Sequence, residues 1–333
     1  MDDSTSQLAT PAYHHSLFPP EPDPPYDAVD QIERVWGRAW GAVDEVSRLR
    51  LVLMRRLGDA LDEIRADAWD ASAAALVDPH RRWYWTSHEP PDVERARDQH
   101  ANLVRTLEQE GVEVELLDPL GSRFSKAVYV RDPLLTISGG AVIGRMANSL
   151  RRGEELSVLR RLGALGCPVL RTVTGSGLVE GGSFMKLRPD LAAFGTSIRC
   201  NESGAEQLRE TLRWLGIELL EVPIAGYSIH IDGQLAIVDH DLAVVNAPGL
   251  PYWFLERLRT LGFELVHRHP DERWAVNVLA VRPRRVIISD DCPRTAERLS
   301  ERGVDVIPIP YDELQKNGGG IHCSTMELVR DRS

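Results

Sequence analysis

Much is scarce in this chain of 333 residues, and each scarcity closes off a class of protein. It has four cysteines, Cys167, Cys200, Cys292 and Cys323, far apart and never in a C-x-x-C pair. Neither a zinc knuckle nor a disulfide framework is therefore expected, and each thiol reads as free in a reducing compartment. Its longest apolar stretches, such as "LAIVDHDLAVV", are short and carry charges. They fall well below the roughly 20 apolar residues a membrane-spanning helix needs, so no membrane contact is expected. The opening "MDDSTSQLATPAYHHSLFPPEPDPPYD" lacks the basic start and apolar core of a secretory signal, which reads as a cytoplasmic chain. Basic charge is short as well: 39 Lys and Arg stand against 50 Asp and Glu, a net charge of −11. With no basic stripe, nucleic acid is excluded as a partner, and a small cationic ligand fits better.

What remains is an ordinary globular balance, 43% hydrophobic and 27% charged. Residues 1–30 are rich in Pro, Asp, Ser and His without periodicity and read as a disordered or loosely attached arm. From there to residue 333 short apolar strands alternate with amphipathic helical stretches, the pattern of βα units in one domain. Five segments share a template: "LVRTLEQEGVEVELL", "VLRRLGALGCPVLRT", "LRETLRWLGIELLEV", "FLERLRTLGFELVHR" and "TAERLSERGVDVIPI". In each, a leucine (Leu107, Leu162, Leu212, Leu258, Leu299) stands four residues before a glycine (Gly111, Gly166, Gly216, Gly262, Gly303), and a strand pattern follows. The glycine is placed to end a helix in the left-handed conformation. The leucine is expected to meet the apolar residue three beyond the glycine (Val114, Val169, Leu219, Leu265, Val306). Glycine spacings of 55, 50, 46 and 41 residues require one helix and several strands per unit. A doubly wound sheet has the same local joints, but five copies favour fivefold closure.

Between 14 and 21 residues after each glycine comes a strand pattern whose end is polar: Asp132 in "AVYVRDP", Glu180 in "GLVEGGS", His230 with Asp232 in "YSIHIDG", Asn277 in "RWAVNVL" and Cys323 in "GGGIHC". Units set around an axis would bring these together. Singly each has a plainer explanation, since a lone Cys is usually packing and a carboxylate at a strand end is usually a turn acceptor. Together, one Cys, one His and three carboxylates suit a guanidinium, which is planar, cationic and matched to carboxylates two hydrogen bonds at a time. A thiolate would attack its central carbon and a histidine would move the protons. The glycines before Cys323 would let backbone come close to the ligand.

In this order "VRDP", "EGG", "HID" and "GGGIHC" resemble the motifs of the guanidino-group-modifying superfamily, the pentein fold, over roughly residues 45–330. That superfamily holds arginine deiminases, dimethylarginine dimethylaminohydrolases and amidinotransferases. The resemblance implies a five-bladed, pseudo-symmetric α/β propeller of ββαβ units. It implies Cys323 as nucleophile, His230 as general acid and base, and Glu180 as the carboxylate that orients His230. Asp132 and Asp232 would clamp the guanidinium, with Tyr129 beside them among the substrate-binding residues. Arg151 and Arg199 resemble the arginines that hold a substrate carboxylate. No metal and no cofactor are expected, the partner is a small guanidino substrate, and a homo-oligomer is allowed.

Two positions depart from the pattern: Ser183 follows "EGG" where relatives carry an acid or amide, and Lys126 stands where Asn or Asp is common. Both fall where the substrate's far end would sit. "HID" in place of the "HLK" of the dimethylarginine enzymes favours an unsubstituted guanidinium, and the "EGG" glutamate favours hydrolysis over transfer. A deiminase-type hydrolase giving a ureido product such as citrulline is expected. An amidinotransferase is the alternative, with a dimethylarginine hydrolase or a metal-dependent ureohydrolase further off.

Overall fold

Helix-glycine-strand joints organise the molecule. The structure is a computed structural model that describes residues 10–12, 17, 24–78, 80 and 83–332. Helix α1 (Val29–Trp36) precedes α2 (Val93–Gln109), α3 (Glu154–Leu165), α4 (Glu202–Trp214), α5 (Tyr252–Thr260) and α6 (Pro293–Ser300), and each of the last five runs into a repeat glycine. All five glycines have φ between +70° and +95°. The next backbone N–H bonds back to the carbonyl of the repeat leucine at 2.9–3.1 Å, which is the Schellman closure of a helix end. The five leucines are at most 1% exposed.

The expected partners share a core with the leucines in four of the five units: Leu219 is buried in one cluster with Leu212, and Val114, Leu265 and Val306 are half-buried against the clusters of Leu107, Leu258 and Leu299. Val169 is 36% exposed, and of the five residues three beyond the glycine only Leu219 is buried. The residue directly after the glycine is more deeply buried in four cases, Val112, Cys167, Phe263 and Val304. The closure folds that residue over the leucine, whereas the position two further on already belongs to a strand with alternating faces.

Each joint serves one three-stranded sheet. β1 (Leu49–Arg55) is followed by a small antiparallel sheet of β2 (Trp69–Asp70), β3 (Ala75–Asp78) and β4 (Trp83–Trp85), then, after α2, by β5 (Glu113–Leu117). The second sheet holds β6 (Leu134–Ile137), β7 (Gly140–Ile143) and β8 (Val169–Thr172), and the third β9 (Phe184–Arg188), β10 (Leu191–Thr196) and β11 (Glu218–Pro223). β12 (Leu235–Asp239), β13 (Leu242–Val245) and β14 (Glu264–His267) form the fourth, and β15 (Leu279–Arg282), β16 (Arg285–Ser289) and β17 (Asp305–Ile309) the fifth. In every unit two strands pair antiparallel and the third returns through the helix to lie parallel to the middle strand. The first unit is completed from the far end of the chain, where β18 (Met326–Arg330) pairs antiparallel with β1.

No sheet among the described residues is wider than three strands or closes on itself, so the doubly wound alternative falls. Contacts run from β18 to β6, from β6 to the turn before β9, from β9 to the turn before β12, from β12 to β15 and from β15 to β1. Buried ions tie these units: Lys186 on β9 lies 2.9 Å from Glu45 and 2.7 Å from Glu327 on β18, and Arg131 lies 2.7 Å from Glu327. Most of the arm expected over residues 1–30 lies outside the described residues. Its end is docked, with the Ser138 hydroxyl donating to Asp27 at 2.9 Å. Among the described residues no helix is long and apolar enough to cross a membrane.

Candidate active site

Every unit opens with a turn, and the turns carry the polar residues expected to converge. Asp132 stands ahead of β6, Glu180 ahead of β9, His230 ahead of β12, Asn277 ahead of β15 and Cys323 ahead of β18. They precede strands rather than ending them, because the strands after the repeat glycines are the third of each unit and the turn falls between units. Asp132, His230, Asp232, Asn277 and Cys323 line one cavity of about 600 Å³. Glu180 sits behind His230 and is fully buried.

Cys323 is 8% exposed at this cavity. The Asn277 amide holds it twice: Nδ2 lies 3.2 Å from the sulfur, and Oδ1 accepts the cysteine's backbone N–H at 3.2 Å. The thiol points to Asp232 Oδ2 at 3.5 Å. Burial and the charges of Asp232 and Asp132 push the thiol well above its ordinary pKa, which favours the neutral sulfur. Asp232 is kept ionised: its carboxylate pKa is lowered, with burial opposed by the hydrogen bond to His322 Nδ1 at 3.0 Å and by neighbouring cations.

His230 lies between carboxylates. Its Nε2 meets Glu180 at 2.8 Å, and its Nδ1 faces Asp132 Oδ1 at 3.3 Å without forming a hydrogen bond. Burial works against the imidazolium, but Asp132, Glu180 and Asp232 outweigh it and raise the pKa to about 9. Glu180 is pulled down to about 2 against its burial, by the hydrogen bond and charge of His230 and by Arg199 and Arg151. The Ala147 N–H donates to it at 2.8 Å, and Arg199 donates at 3.1 Å. At neutral pH the resting site therefore holds an imidazolium beside a thiol.

The arginines differ in how much they have left to give. Arg151 is buried and donates to both Glu154 oxygens at 2.8 Å, to the Tyr129 carbonyl at 3.1 Å and to Asp132 Oδ2. It lines the cavity, where the sequence leads one to expect a grip on a substrate carboxylate, and these contacts also brace Asp132. Arg199 spends one nitrogen on Glu180 and also lines the cavity. Tyr129 gives its hydroxyl to the Leu314 carbonyl at 2.6 Å, so it presents a ring wall to the cavity instead of a donor. The glycines before Cys323 answer to packing: a Cβ on Gly319 would stand 2.5 Å from the Tyr129 ring, and one on Gly320 2.5 Å from Asn277 Oδ1.

Asp132, Glu180 and His230 also offer ligand atoms within 4.8 Å of one another, a spacing that could accept a metal ion. Arg151 already holds Asp132 Oδ2 and Arg199 holds Glu180, so a divalent ion would compete with two guanidiniums and with the imidazole proton. Residues that drew no site assignment from sequence are Glu154, His322 and Asn277. Asn277 was in step with the repeat, which was the available signal, but an amide has no chemistry of its own to mark it.

Comparison with known proteins bears on the family and the fold. The family model described as "N,N dimethylarginine dimethylhydrolase, eukaryotic" matches residues 78–330. The N(G),N(G)-dimethylarginine dimethylaminohydrolase of Pseudomonas aeruginosa is 28% identical over 238 residues, 72% of this chain and 90% of that one. An arginine deiminase of Bacillus cytotoxicus is 24% identical over 262 residues, 64% of this chain and 63% of that one. A mutant of the Pseudomonas aeruginosa enzyme solved with citrulline superposes with a TM-score of 0.69 at 25% identity, over 84% of this chain and 99% of that one. An amidinotransferase of Microseira wollei shares the fold at 17% identity, with a TM-score of 0.67 over 89% of this chain and 98% of that one. The chain belongs to the N,N dimethylarginine dimethylhydrolase family, within the guanidino-modifying superfamily that its motifs resemble.

Proposed function

We propose that the protein hydrolyses the guanidino group of a small substrate through a covalent amidino intermediate on Cys323. One arrangement carries this reading: a buried cysteine held by Asn277 at the wall of a cavity that two carboxylates face, with a protonated His230 alongside. Asp132 Oδ1 is buried and makes no hydrogen bond among the described residues, an acceptor suited to a guanidinium N–H. In this reading the five units are the blades of an α/β propeller, and the turns between them meet at its axis.

The chemistry starts from a thiol and an imidazolium. A guanidinium between Asp132 and Asp232 offsets the two negative charges that hold the Cys323 pKa up, so the thiol ionises and its proton leaves to solvent. The thiolate adds to the central carbon, and His230 gives its proton to the departing nitrogen, leaving an S-linked amidinium. Neutral His230 then takes a proton from water. The resulting hydroxide adds to the same carbon, the C–S bond breaks, and a ureido product leaves with the imidazolium restored. Glu180 keeps the ring in place throughout.

Carboxylates on both sides favour a guanidinium whose two terminal nitrogens keep their hydrogens, as in arginine and related compounds. A dimethylated nitrogen has no N–H to give. The family match supports the second reading, a dimethylarginine hydrolase. The test is to incubate the purified protein with arginine-type compounds and with dimethylarginine, each with and without an amine acceptor, and identify products by mass. Ammonia with a ureido product supports the first reading. Dimethylamine assigns the second, and an amidinated acceptor would replace hydrolysis by transfer.

A further inference from the structure

One histidine of the "GGGIHC" motif has no part in the chemistry described so far. His322, directly before Cys323, is buried. Its Nδ1 lies 3.0 Å from Asp232 Oδ2, the same oxygen that stands 3.5 Å from the Cys323 sulfur. An ionised carboxylate only accepts, so this contact requires the imidazole proton on Nδ1. Asp232 Oδ1 accepts no hydrogen bond among the described residues. Asp132 is held in a similar way: Arg151 takes its Oδ2, and its Oδ1 makes no hydrogen bond among the described residues.

The imidazole is delivered by a fixed backbone. The His322 N–H donates to the Asn277 carbonyl at 3.4 Å, and the His322 carbonyl accepts from the Thr325 N–H and hydroxyl, each at 3.1 Å. Behind it, His322 borders a small cavity together with Glu45 and Arg330, and its charge also acts on buried Glu327. Building on the hydrolase reading, we propose that His322 is a positioning residue: its Nδ1–H fixes Asp232 Oδ2 and leaves Oδ1 as the acceptor for the guanidinium of the substrate. The same bond keeps that acceptor charged. Burial works against the Asp232 carboxylate, and the hydrogen bond and charge of His322, with His230 from its own turn and Arg131 from the turn before β6, bring its pKa down. Cys323 and Asp132 are the remaining titratable groups of the cluster, and Asp132 adds only negative charge, so His322 is the hydrogen-bonded donor on which Asp232 depends.

The experiment has a ligand-binding arm and a ligand-free arm. Calorimetry follows arginine and dimethylarginine binding to the Cys323→Ser protein, from about pH 8 down to about pH 5, with His322 intact or replaced. His322→Leu removes the donor, whereas His322→Asn keeps an amide N–H near the place of Nδ1. For whichever compound binds, His322→Leu should weaken affinity about tenfold or more, and more steeply as pH falls, while His322→Asn stays within about threefold. In the ligand-free arm, nitrogen-labelled histidine NMR should find the proton of His322 on Nδ1, its signal assigned by its loss in His322→Asn. A His322 protonated on Nε2 alone overturns the proposal. So does a His322→Leu protein that binds as its parent does at every pH, or a His322→Asn protein as weak as His322→Leu. If neither compound binds or is turned over, the hydrolase reading fails, and the NMR result still decides this one; the same holds if His322→Leu does not fold.

Discussion

One side chain holds the sulfur in place: Asn277 lies with Nδ2 3.2 Å from Cys323 Sγ while its Oδ1 accepts the cysteine's own backbone N–H at 3.2 Å. Because Asn277 precedes β15 and Cys323 precedes β18, the grip spans two units. An amide donor aimed at sulfur stabilises a thiolate more than a thiol. Asn277→Ala is therefore expected to lower kcat roughly 10- to 100-fold, the loss of one charge-assisted hydrogen bond. Circular dichroism should report an unchanged fold, and a fall in kcat no larger than the fall in stability would count against this role.

His230 provides a pH test with a defined sign. Its folded pKa of about 9 exceeds the ordinary 6.5, so its contribution to stability is complete below about pH 6.5 and is lost as pH rises through about 9. The contribution is roughly 3 kcal/mol by linkage. Denaturation midpoints measured from pH 6 to 10 should fall across that window, and the fall should be flatter in His230→Gln. Carbon-detected titration of the His230 ring should place its midpoint near 9.

Cys323 should be a sluggish nucleophile when the site is empty. Its thiol is held up by burial and by Asp232 and Asp132, so iodoacetamide at pH 7 is expected to alkylate it more slowly than free cysteine. Asp232→Asn removes the nearer charge, 3.5 Å away, and should speed the reaction. Alkylation that is fast in the wild-type protein and unchanged by Asp232→Asn would contradict the electrostatics.

Two glycine substitutions separate folding from function. Gly216 has φ +70° and open space around a Cβ, so Gly216→Ala should cost about 1–2 kcal/mol of stability and leave kcat alone. At Gly320 the added carbon meets Asn277 Oδ1 at 2.5 Å, so Gly320→Ala should disturb the cysteine's grip and cut activity beyond any change in stability. Urea denaturation alongside steady-state kinetics tells the two apart.

The contrast also marks what could be read along the chain. Gly111, Gly166, Gly216, Gly262 and Gly303 announce themselves because helix closure is a local event, set within six residues by a backbone only glycine adopts cheaply. Asp132, Glu180, His230 and Cys323 could be found because they keep step with that repeat. The first unit is the least continuous along the chain: its opening strand, β18, is supplied by the last residues, and residues 56–92 separate β1 from α2. Long-range partners left no trace either. That Arg151 braces Asp132 and Glu154, that the Tyr129 hydroxyl is committed to Leu314, and that His322 steadies Asp232 depend on packing between turns far apart in sequence. Val114, Leu219, Leu265 and Val306 do share a core with the repeat leucines, but the deeper burial of the residue directly after the glycine in four units is set by the Schellman turn and not by the strand period.

The central claim is that Cys323 carries the amidino group during turnover. Acid-quenching the protein with a turned-over guanidino substrate and mapping its peptides by mass should find an amidino-sized increment on the peptide containing Cys323, absent in Cys323→Ala, which should be inactive yet still bind. Turnover with no such increment, together with activity retained by Cys323→Ala, would contradict the account.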